Sequence, residues 1–393
     1  MEQTPISMRK HIAIIGKTNA GKSTIFNLLL GQDASIVSDV EGTTTDPVVK
    51  AAELIPFGPV ALIDTAGFGD KTELGRQRMQ KTQQILRRAD LILNVIDAGD
   101  VTAAEEYKGS VPVIPVYTKC ENVSANLLKK YKEENPNAVF LQKDSAEALD
   151  SLRKTITERL KEQEKEDNTL IGDLLPVGSR LLLIVPIDSA APKGRLILPQ
   201  VQLIRDCLDH HMKAYIVRET EIEEALQELR KIDLAVTDSQ AFAIANKSIP
   251  PEIPLTSFSM LLARQKGNFE QYLAGAVQIA KLKNNSRVLV LEGCTHNTTH
   301  EDIGRVKIPA LIQKKVGVKC EYTYCAGYQF PDNFKDFDLV LSCGMCMVNR
   351  REVSTRLEKL RDAGIPVVNY GIALAYLNGI LERASYIFTH PKK

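Results

Sequence analysis

Short apolar runs and amphipathic stretches alternate along the first part of the chain. The apolar runs predict buried strands at residues 11–15, 60–64, 91–97 and 113–117. Helical stretches separate these runs, an order typical of βα units around a parallel sheet. A charged segment with almost no apolar residues, 161–168, follows and predicts a helix end that leads into a linker.

The same alternation restarts beyond this linker. A middle segment predicts strands at residues 180–187, 214–217 and 234–237, followed by a short helix and the segment 255–258. A last segment predicts strands at residues 287–291, 319–324, 338–341 and 366–369, with helices between them. We therefore expect an α/β protein of three α/β domains, with boundaries at residues 1–168, 169–266 and 267–393.

The composition excludes some classes of protein but does not identify a function. Hydrophobic residues make up 44% of the chain and charged residues 25%, and no apolar run is long enough for a membrane span. Fifty basic residues balance forty-nine acidic ones, so overall charge does not indicate a nucleic-acid partner. The first residues lack the apolar core of a secretory signal, so we expect a cytoplasmic protein whose cysteines are free thiols or metal ligands.

A phosphate-binding loop stands between the first predicted strand and the first predicted helix. Its sequence, GKTNAGKS at residues 16–23, matches the P-loop pattern. In this motif backbone N–H groups surround the phosphates, Lys22 reaches the β- and γ-phosphates and Ser23 binds Mg²⁺. We expect nucleotide contacts from Gly16, Asn19, Gly21, Lys22, Ser23 and Thr24.

Two further boxes follow in the order that GTPases have. The sequence DTAG places Asp64 at the end of a strand, near Mg²⁺, and Gly67 near the γ-phosphate. Between the loop and this box, EGTTTDP offers Thr44 as a Mg²⁺ contact, with Thr43 as the alternative. The residues that we expect to act in hydrolysis are Lys22, Asn19 and Thr44.

Base recognition departs from the usual GTPase box. Instead of NKxD, the chain has TKCE at residues 118–121. Lys119 can stack on a base and Glu121 can accept two guanine N–H groups, although the longer side chain and the missing asparagine leave guanine specificity open. The stretch DSAEA, with Ser145 and Ala146, matches the box whose backbone N–H reads the guanine oxygen. GTP is therefore the expected nucleotide.

Cysteines form a second constellation near the end of the chain. Cys294 and His296 stand together in CTH, and Cys343 and Cys346 form CGMC. Each motif follows a predicted strand, so both can meet beyond the carboxyl ends of a parallel sheet. Three thiolates and one weaker ligand suit a 4Fe–4S cluster with one distinctive iron. The alternatives are a structural zinc site and buried free cysteines.

The boxes of residues 8–160 resemble the branch of GTPases that contains MnmE and Era. This resemblance implies that Asn19 helps to hold K⁺ beside the phosphates, so that hydrolysis is slow and K⁺-stimulated; a loop-stabilising hydrogen bond is its alternative role. With the CxH and CxxC motifs included, the whole chain resembles the HydF family of FeFe-hydrogenase maturation GTPases. That family resemblance implies a P-loop GTPase domain, a small dimerisation domain and an iron–sulfur cluster domain.

The family resemblance also implies a role as a scaffold or carrier. Such a homodimer or tetramer would assemble or deliver a diiron subcluster to apo FeFe-hydrogenase, with radical-SAM maturases as further partners. Ser342 stands where the family often has a second histidine. The fourth cluster ligand is therefore open among His296, His300, Glu301, Asp302 and solvent. Alternative functions are an electron-transfer enzyme and an MnmE/Era-like GTPase with a structural metal site, acting in RNA modification or ribosome assembly.

Overall fold

The chain folds into two compact units, Met1–Asp167 and Asn168–Lys393. The computed structural model describes residues 4–31, 48–65, 85–101, 111–143, 145–164, 169–186, 196–293 and 303–391. Across these ranges, no helix combines the length and the apolar character that crossing a membrane requires.

A six-stranded sheet forms the centre of the first unit. Its strands are β1 Lys10–Gly16, β2 Val48–Leu54, β3 Gly58–Asp64, β4 Leu91–Asp97, β5 Val113–Thr118 and β6 Val139–Phe140. They lie in the order β2-β3-β1-β4-β5-β6, and every neighbouring pair is parallel except β2 with β3. The predicted α/β fold with a parallel sheet is therefore confirmed, with an added antiparallel edge strand that the sequence analysis did not predict.

Apolar side chains cover both faces of this sheet. Ile12 and Ile14 belong to one cluster of buried residues, whereas Ala13 and Ile15 belong to another. This alternation follows from the two-residue period of a strand, and a strand buried on both faces has an almost continuous apolar sequence. Within the described residues of this unit, the helices include α1 Lys22–Leu30, α2 Ala125–Glu134 and α3 Ala146–Glu164.

Two parallel four-stranded sheets build the second unit. The first has the order β10-β9-β7-β8, and the second has the order β12-β11-β13-β14. The strands of the first sheet are β7 Arg180–Ile184, β8 Lys213–Val217, β9 Leu234–Thr237 and β10 Leu255–Ser257. Those of the second are β11 Arg287–Glu292, β12 Glu321–Ala326, β13 Leu339–Ser342 and β14 Val367–Asn369.

Helices connect the strands of both sheets. They are α4 Leu198–Asp209, α5 Ile222–Glu228, α6 Phe242–Ser248, α7 Phe258–Lys266, α8 Phe269–Ala276, α9 Ile308–Val316, α10 Arg350–Asp362, α11 Tyr370–Leu377 and α12 Leu381–Thr389. A π-helical turn, Ile303–Lys307, precedes α9. His210 is the C-cap residue of α4.

The two sheets of the second unit share one hydrophobic core. Ile184 of β7 and Ala235 of β9 belong to the same cluster of buried residues as Val288 of β11 and Val340 of β13. Helix α7, which the sequence analysis did not predict, connects the sheets. Its apolar residues are buried almost all round, so it lacks the amphipathic period by which helices are recognised. The division at residues 266 and 267 into two domains stays a prediction.

Gly275 gives a test of how tightly α8 packs on β14. A Cβ atom at Gly275 would lie 1.9 Å from the carbonyl oxygen of Val367. We expect Gly275→Ala to lower the unfolding free energy of the second unit by roughly 2–3 kcal/mol, because backbone must move to relieve the clash. Calorimetry of the full chain measures this change. GTP with Mg²⁺ is expected to shift the transition of the first unit, which identifies the transition that belongs to the second unit.

Gly344→Ala is the matched control for this substitution. Its added Cβ would meet no atom closer than 3.6 Å, the Cδ1 atom of Leu262, which is ordinary van der Waals contact. Equal stability of the two variants would contradict the packing described for α8.

Candidate functional site

The phosphate-binding loop lies between β1 and α1, where the sequence predicted it. A Cβ atom at Gly16 would lie 2.3 Å from the carbonyl oxygen of Val95, so only glycine fits where the loop leaves β1 beside β4. Asn19, at the tip of the loop, has a φ of 64° and an exposed side chain. Thr24 follows Ser23 in the first turn of α1.

The ammonium group of Lys22 is held inside this loop. Its Nζ atom donates to the carbonyl oxygen of Gly16 at 2.9 Å and to that of Lys17 at 2.7 Å. Burial lowers the pKa of Lys22, and the nearby carboxylate of Asp64 opposes this shift. Backbone carbonyl groups carry no net charge, so they accept the ammonium hydrogens without forming an ion pair with Lys22. Lys22 is therefore placed inside the loop that would receive phosphate oxygens.

Ser23 and Asp64 present oxygen ligands beside Lys22. The Ser23 hydroxyl lies 3.5 Å from Oδ2 of Asp64 and donates to it. The other carboxylate oxygen, Oδ1, is buried and has no hydrogen-bond partner within the described residues. Burial raises the pKa of Asp64, whereas Lys22 and Ser23 lower it. A buried, unpaired carboxylate oxygen next to a hydroxyl fits the hard, oxygen-ligated Mg²⁺ ion. The predicted residues Thr43, Thr44 and Gly67 lie outside the described residues.

Lys119 joins the base-recognition box to the phosphate-binding loop. Its Nζ atom donates to Oδ2 of Asp97 at 2.7 Å and to the carbonyl oxygen of Asn19 at 2.8 Å. The hydrogen bond from Lys119 lowers the pKa of Asp97. The sequence analysis missed Asp97, although its place as the last residue of an apolar strand was a usable signal.

Thr118 fastens β5 to the same loop. Its side chain is buried, and its hydroxyl donates to the carbonyl oxygen of Ala20 at 2.7 Å. The hydroxyl thus supports the loop that surrounds the phosphates. Glu121 has an exposed side chain, which accepts from the backbone N–H of Lys143 at 3.3 Å. This contact brings the TKCE box beside the segment that leads to Ser145.

Ser145 and Ala146 begin helix α3. The Ser145 side chain accepts from the backbone N–H of Ala148 at 3.2 Å, which satisfies one of the free donors at the helix start. Ala146 is the first helical residue and is exposed. Cys120 is buried in this region, and burial raises the pKa of its thiol to about 11.

The CxxC motif follows directly after β13. Its first thiol, Cys343 Sγ, accepts from the backbone N–H of Gly293 at 3.0 Å and from that of Met345 at 3.3 Å. Gly293, the residue before Cys294 in the sequence, therefore lies in contact with the first cysteine of the CxxC motif. Cys294 and His296 lie outside the described residues. Within those residues, no three His, Cys, Asp or Glu side chains form a group able to hold a metal.

The surroundings of Cys343 fit a thiolate ligand. Removal of water raises the pKa of Cys343 to about 11, and the two backbone N–H groups oppose this shift. Hydrogen bonds to cysteine sulfur stabilise the thiolate form and tune iron–sulfur clusters. A soft sulfur donor with two N–H partners therefore fits the predicted cluster chemistry.

Neighbouring polar groups hold the carbonyl oxygen of Cys343. It accepts from the Ser342 hydroxyl at 3.3 Å and from the Asn369 amide at 3.3 Å. Asn369 is buried at the end of β14, and sequence reasoning missed it because its partner is distant in the chain. Ser342 is also buried, so the residue in place of the family's second histidine makes an internal contact.

Comparison with known proteins finds three family models along the chain. They are "50S ribosome-binding GTPase" at residues 11–119, "Hydrogen maturase F dimerization domain" at residues 170–267 and "Hydrogen maturase F tetramerization domain" at residues 270–387. The last two together match more than half of the chain.

Individual relatives match the first unit. The tRNA modification GTPase MnmE of Xanthomonas euvesicatoria is 36% identical over 148 residues, which are 36% of this chain and 32% of that protein. MnmE of Legionella pneumophila is 32% identical over 168 residues, 40% of this chain and 36% of that protein. The chain thus spans about a third of the length of these relatives. A structure of an Era variant from Aquifex aeolicus has 20% identity, covers 61% of this chain and 97% of that chain, and gives a TM-score of 0.31, too low to support an argument.

The phosphate-binding loop, the Ser23–Asp64 pair and the matching GTPase model define the first unit as a P-loop GTPase domain that binds GTP and Mg²⁺. The dimerization and tetramerization models follow it in order along the second unit. The chain belongs to the hydrogen maturase F family, HydF. It carries that family's domains for homodimer and tetramer formation.

The contact between Thr118 and the phosphate-binding loop gives a test of the nucleotide site. Thr118→Val keeps the shape of the side chain but leaves the Ala20 carbonyl without its donor. We expect GTP affinity to fall about fivefold to tenfold, the effect of one lost buried hydrogen bond. Titration of a fluorescent GTP analogue measures this change. Thr118→Ser keeps the hydroxyl and is expected to bind nearly as wild type; equal affinity of both variants would contradict the assigned contact.

Proposed function

We propose that this chain is a K⁺-stimulated GTPase and a 4Fe–4S scaffold or carrier that assembles or delivers the diiron subcluster to apo FeFe-hydrogenase. Membership of the hydrogen maturase F family supports the maturation role. The observation that carries the cluster role is the contact between the Gly293 N–H and Cys343 Sγ, because it brings the residue before Cys294 to the CxxC motif.

The nucleotide half of the proposal uses the P-loop residues. Lys22 would leave its two carbonyl partners to bind the β- and γ-phosphates, while Ser23 and Asp64 hold Mg²⁺. Mg²⁺ supplies charge neutralisation at the phosphate oxygens. Thr44 is the proposed Mg²⁺ contact from the segment that follows. Asn19 has an exposed side chain at the loop tip, which suits the proposed role in holding K⁺.

The cluster half of the proposal uses Cys294, Cys343 and Cys346. These three thiolates would hold a 4Fe–4S cluster, and the fourth ligand would be His296, His300, Glu301, Asp302 or solvent. A replaceable ligand at one iron supplies an attachment point for the diiron substrate. The buried backbone N–H of Gly293 would stabilise the Cys343 thiolate both with and without the diiron substrate bound.

The proposed domain organisation follows from this assignment. Residues 1–168 form the GTPase domain, residues 169–266 form the dimerisation domain and residues 267–393 form the cluster domain. We propose that GTP acts as a switch on partner release, since its γ-phosphate orders loops in related GTPases. The partners are apo FeFe-hydrogenase and the radical-SAM maturases that build the diiron precursor, and the location is the cytoplasm.

Substitutions at the two sites should separate the two activities. We expect Cys294→Ser, Cys343→Ser and Cys346→Ser each to remove most of the iron and the hydrogenase maturation activity. GTP hydrolysis should stay within about twofold of wild type, since the two units have separate cores. Lys22→Met should have the reverse effect and abolish GTP hydrolysis while iron content is kept. Iron and acid-labile sulfide analysis of anaerobically reconstituted protein and a phosphate-release assay give these values.

Cys320→Ser is the matched control for the cysteine variants, because Cys320 lies immediately before β12 and is not a proposed ligand. It should keep full iron content. Loss of the cluster in this variant, zinc in place of iron in the wild type, or full iron in all three ligand variants would each contradict the cluster assignment.

The proposed K⁺ site predicts a cation effect on hydrolysis. Replacing Na⁺ with K⁺ should raise the GTPase rate severalfold, because K⁺ beside the phosphates would do what an arginine finger does elsewhere. Asn19→Ala should lose this response but still bind GTP, because its side chain makes no part of the Lys22 contacts. Steady-state rates at constant ionic strength measure the effect. Equal wild-type rates in Na⁺ and K⁺ would count against the K⁺ site.

A further inference from the structure

A buried lysine lies behind the CxxC motif. Lys266 is the last residue of α7, and only 5% of its surface is exposed. Its Nζ atom donates to the carbonyl oxygens of Met345 at 3.0 Å, Cys346 at 3.2 Å and Val348 at 2.9 Å. An ammonium group has three donors, and these contacts use all of them. Every acceptor belongs to the turn that carries or follows the second cysteine.

The charge of Lys266 has no carboxylate partner within the described part of the chain. Burying a charge is costly unless an opposite charge or a full set of hydrogen bonds compensates it. The three carbonyl groups satisfy the hydrogen bonds, but they leave the positive charge in place. Burial lowers the pKa of Lys266 to about 8, and negative charge on Cys346 and Cys343 opposes this shift. Lys266 therefore places a basic group beside the CxxC turn, where thiolate ligands would bring negative charge.

We propose that Lys266 is a positioning residue for the cluster: its three hydrogen bonds hold the CxxC turn in shape, and its charge balances the thiolates of Cys343 and Cys346. This inference rests on the proposed cluster function. Lys266 lies within the segment matched by the dimerization model, residues 170–267, whereas the cysteines lie in the segment matched by the tetramerization model. The cluster site is thus completed by a side chain from the preceding segment.

The test compares Lys266→Met with wild type in the full chain. Methionine keeps the buried volume but removes the three donors and the charge. We expect iron to be released to a chelator about tenfold faster or more, because several charge-assisted hydrogen bonds are lost. We also expect a lower midpoint potential in an EPR-monitored redox titration, because a nearby positive charge favours the more negative, reduced cluster.

Two further variants separate position from charge. Lys266→Gln can donate hydrogen bonds without charge, so it should slow iron release relative to Lys266→Met but keep the lowered potential. Lys247→Met removes an exposed lysine from the last turn of α6 and should match wild type in both measurements. Hydrogen exchange of residues 343–348 in metal-free protein should speed up in Lys266→Met, which tests the turn without the cluster.

The outcomes distinguish this inference from the proposed function. A wild-type protein that binds no iron–sulfur cluster would overturn the proposed function. A wild-type protein that binds the cluster, with unchanged release, potential and hydrogen exchange in a folded Lys266→Met variant, would overturn the role of Lys266 alone. Faster iron release from Lys266→Met with no change in the midpoint potential of the cluster would overturn the charge-balancing role.

Discussion

Parallel strands impose one constraint on which both candidate sites depend. Each strand must be followed by a crossover, so the carboxyl ends of all strands meet at the same edge of the sheet. In the first unit this edge carries the phosphate-binding loop and the Mg²⁺ and base-side residues; in the second it carries the CxxC motif. The residues that end these strands are Gly16, Asp64, Asp97, Thr118, Glu292, Ser342 and Asn369.

Both sites also keep a buried lysine on backbone carbonyl groups. Lys22 donates to two carbonyls of its own loop, and Lys266 donates to three carbonyls of the CxxC turn. Carbonyl dipoles satisfy the hydrogen bonds of an ammonium group without adding a negative charge, so each site places a basic group where an anionic ligand would bind. The same physical solution serves a triphosphate in one unit and, in our proposal, cluster thiolates in the other.

The sequence predicted the elements whose signal is local. Continuous apolar runs identified the central strands, and the P-loop was recognisable because its residues are consecutive. Edge strand β2 was missed because its sequence, VVKAAEL, mixes exposed and buried positions, and α7 was missed because burial on most sides hides its helical period. Lys266 and Asn369 could not have been found, since each contacts residues far away in the chain. The placement of Thr44, Gly67, Cys294 and His296 stays a prediction.

The core that the two sheets of the second unit share has a consequence for how this protein can be divided. The boundary between the two matched family segments passes through a single body of buried side chains, which includes Tyr272, Ile279 and Met260. Separating the segments at this boundary would expose apolar surface on both halves, and such surface promotes aggregation. Residues 170–267 and residues 270–387 are therefore expected to occur together in one chain, because recombination between them would yield fragments of low solubility.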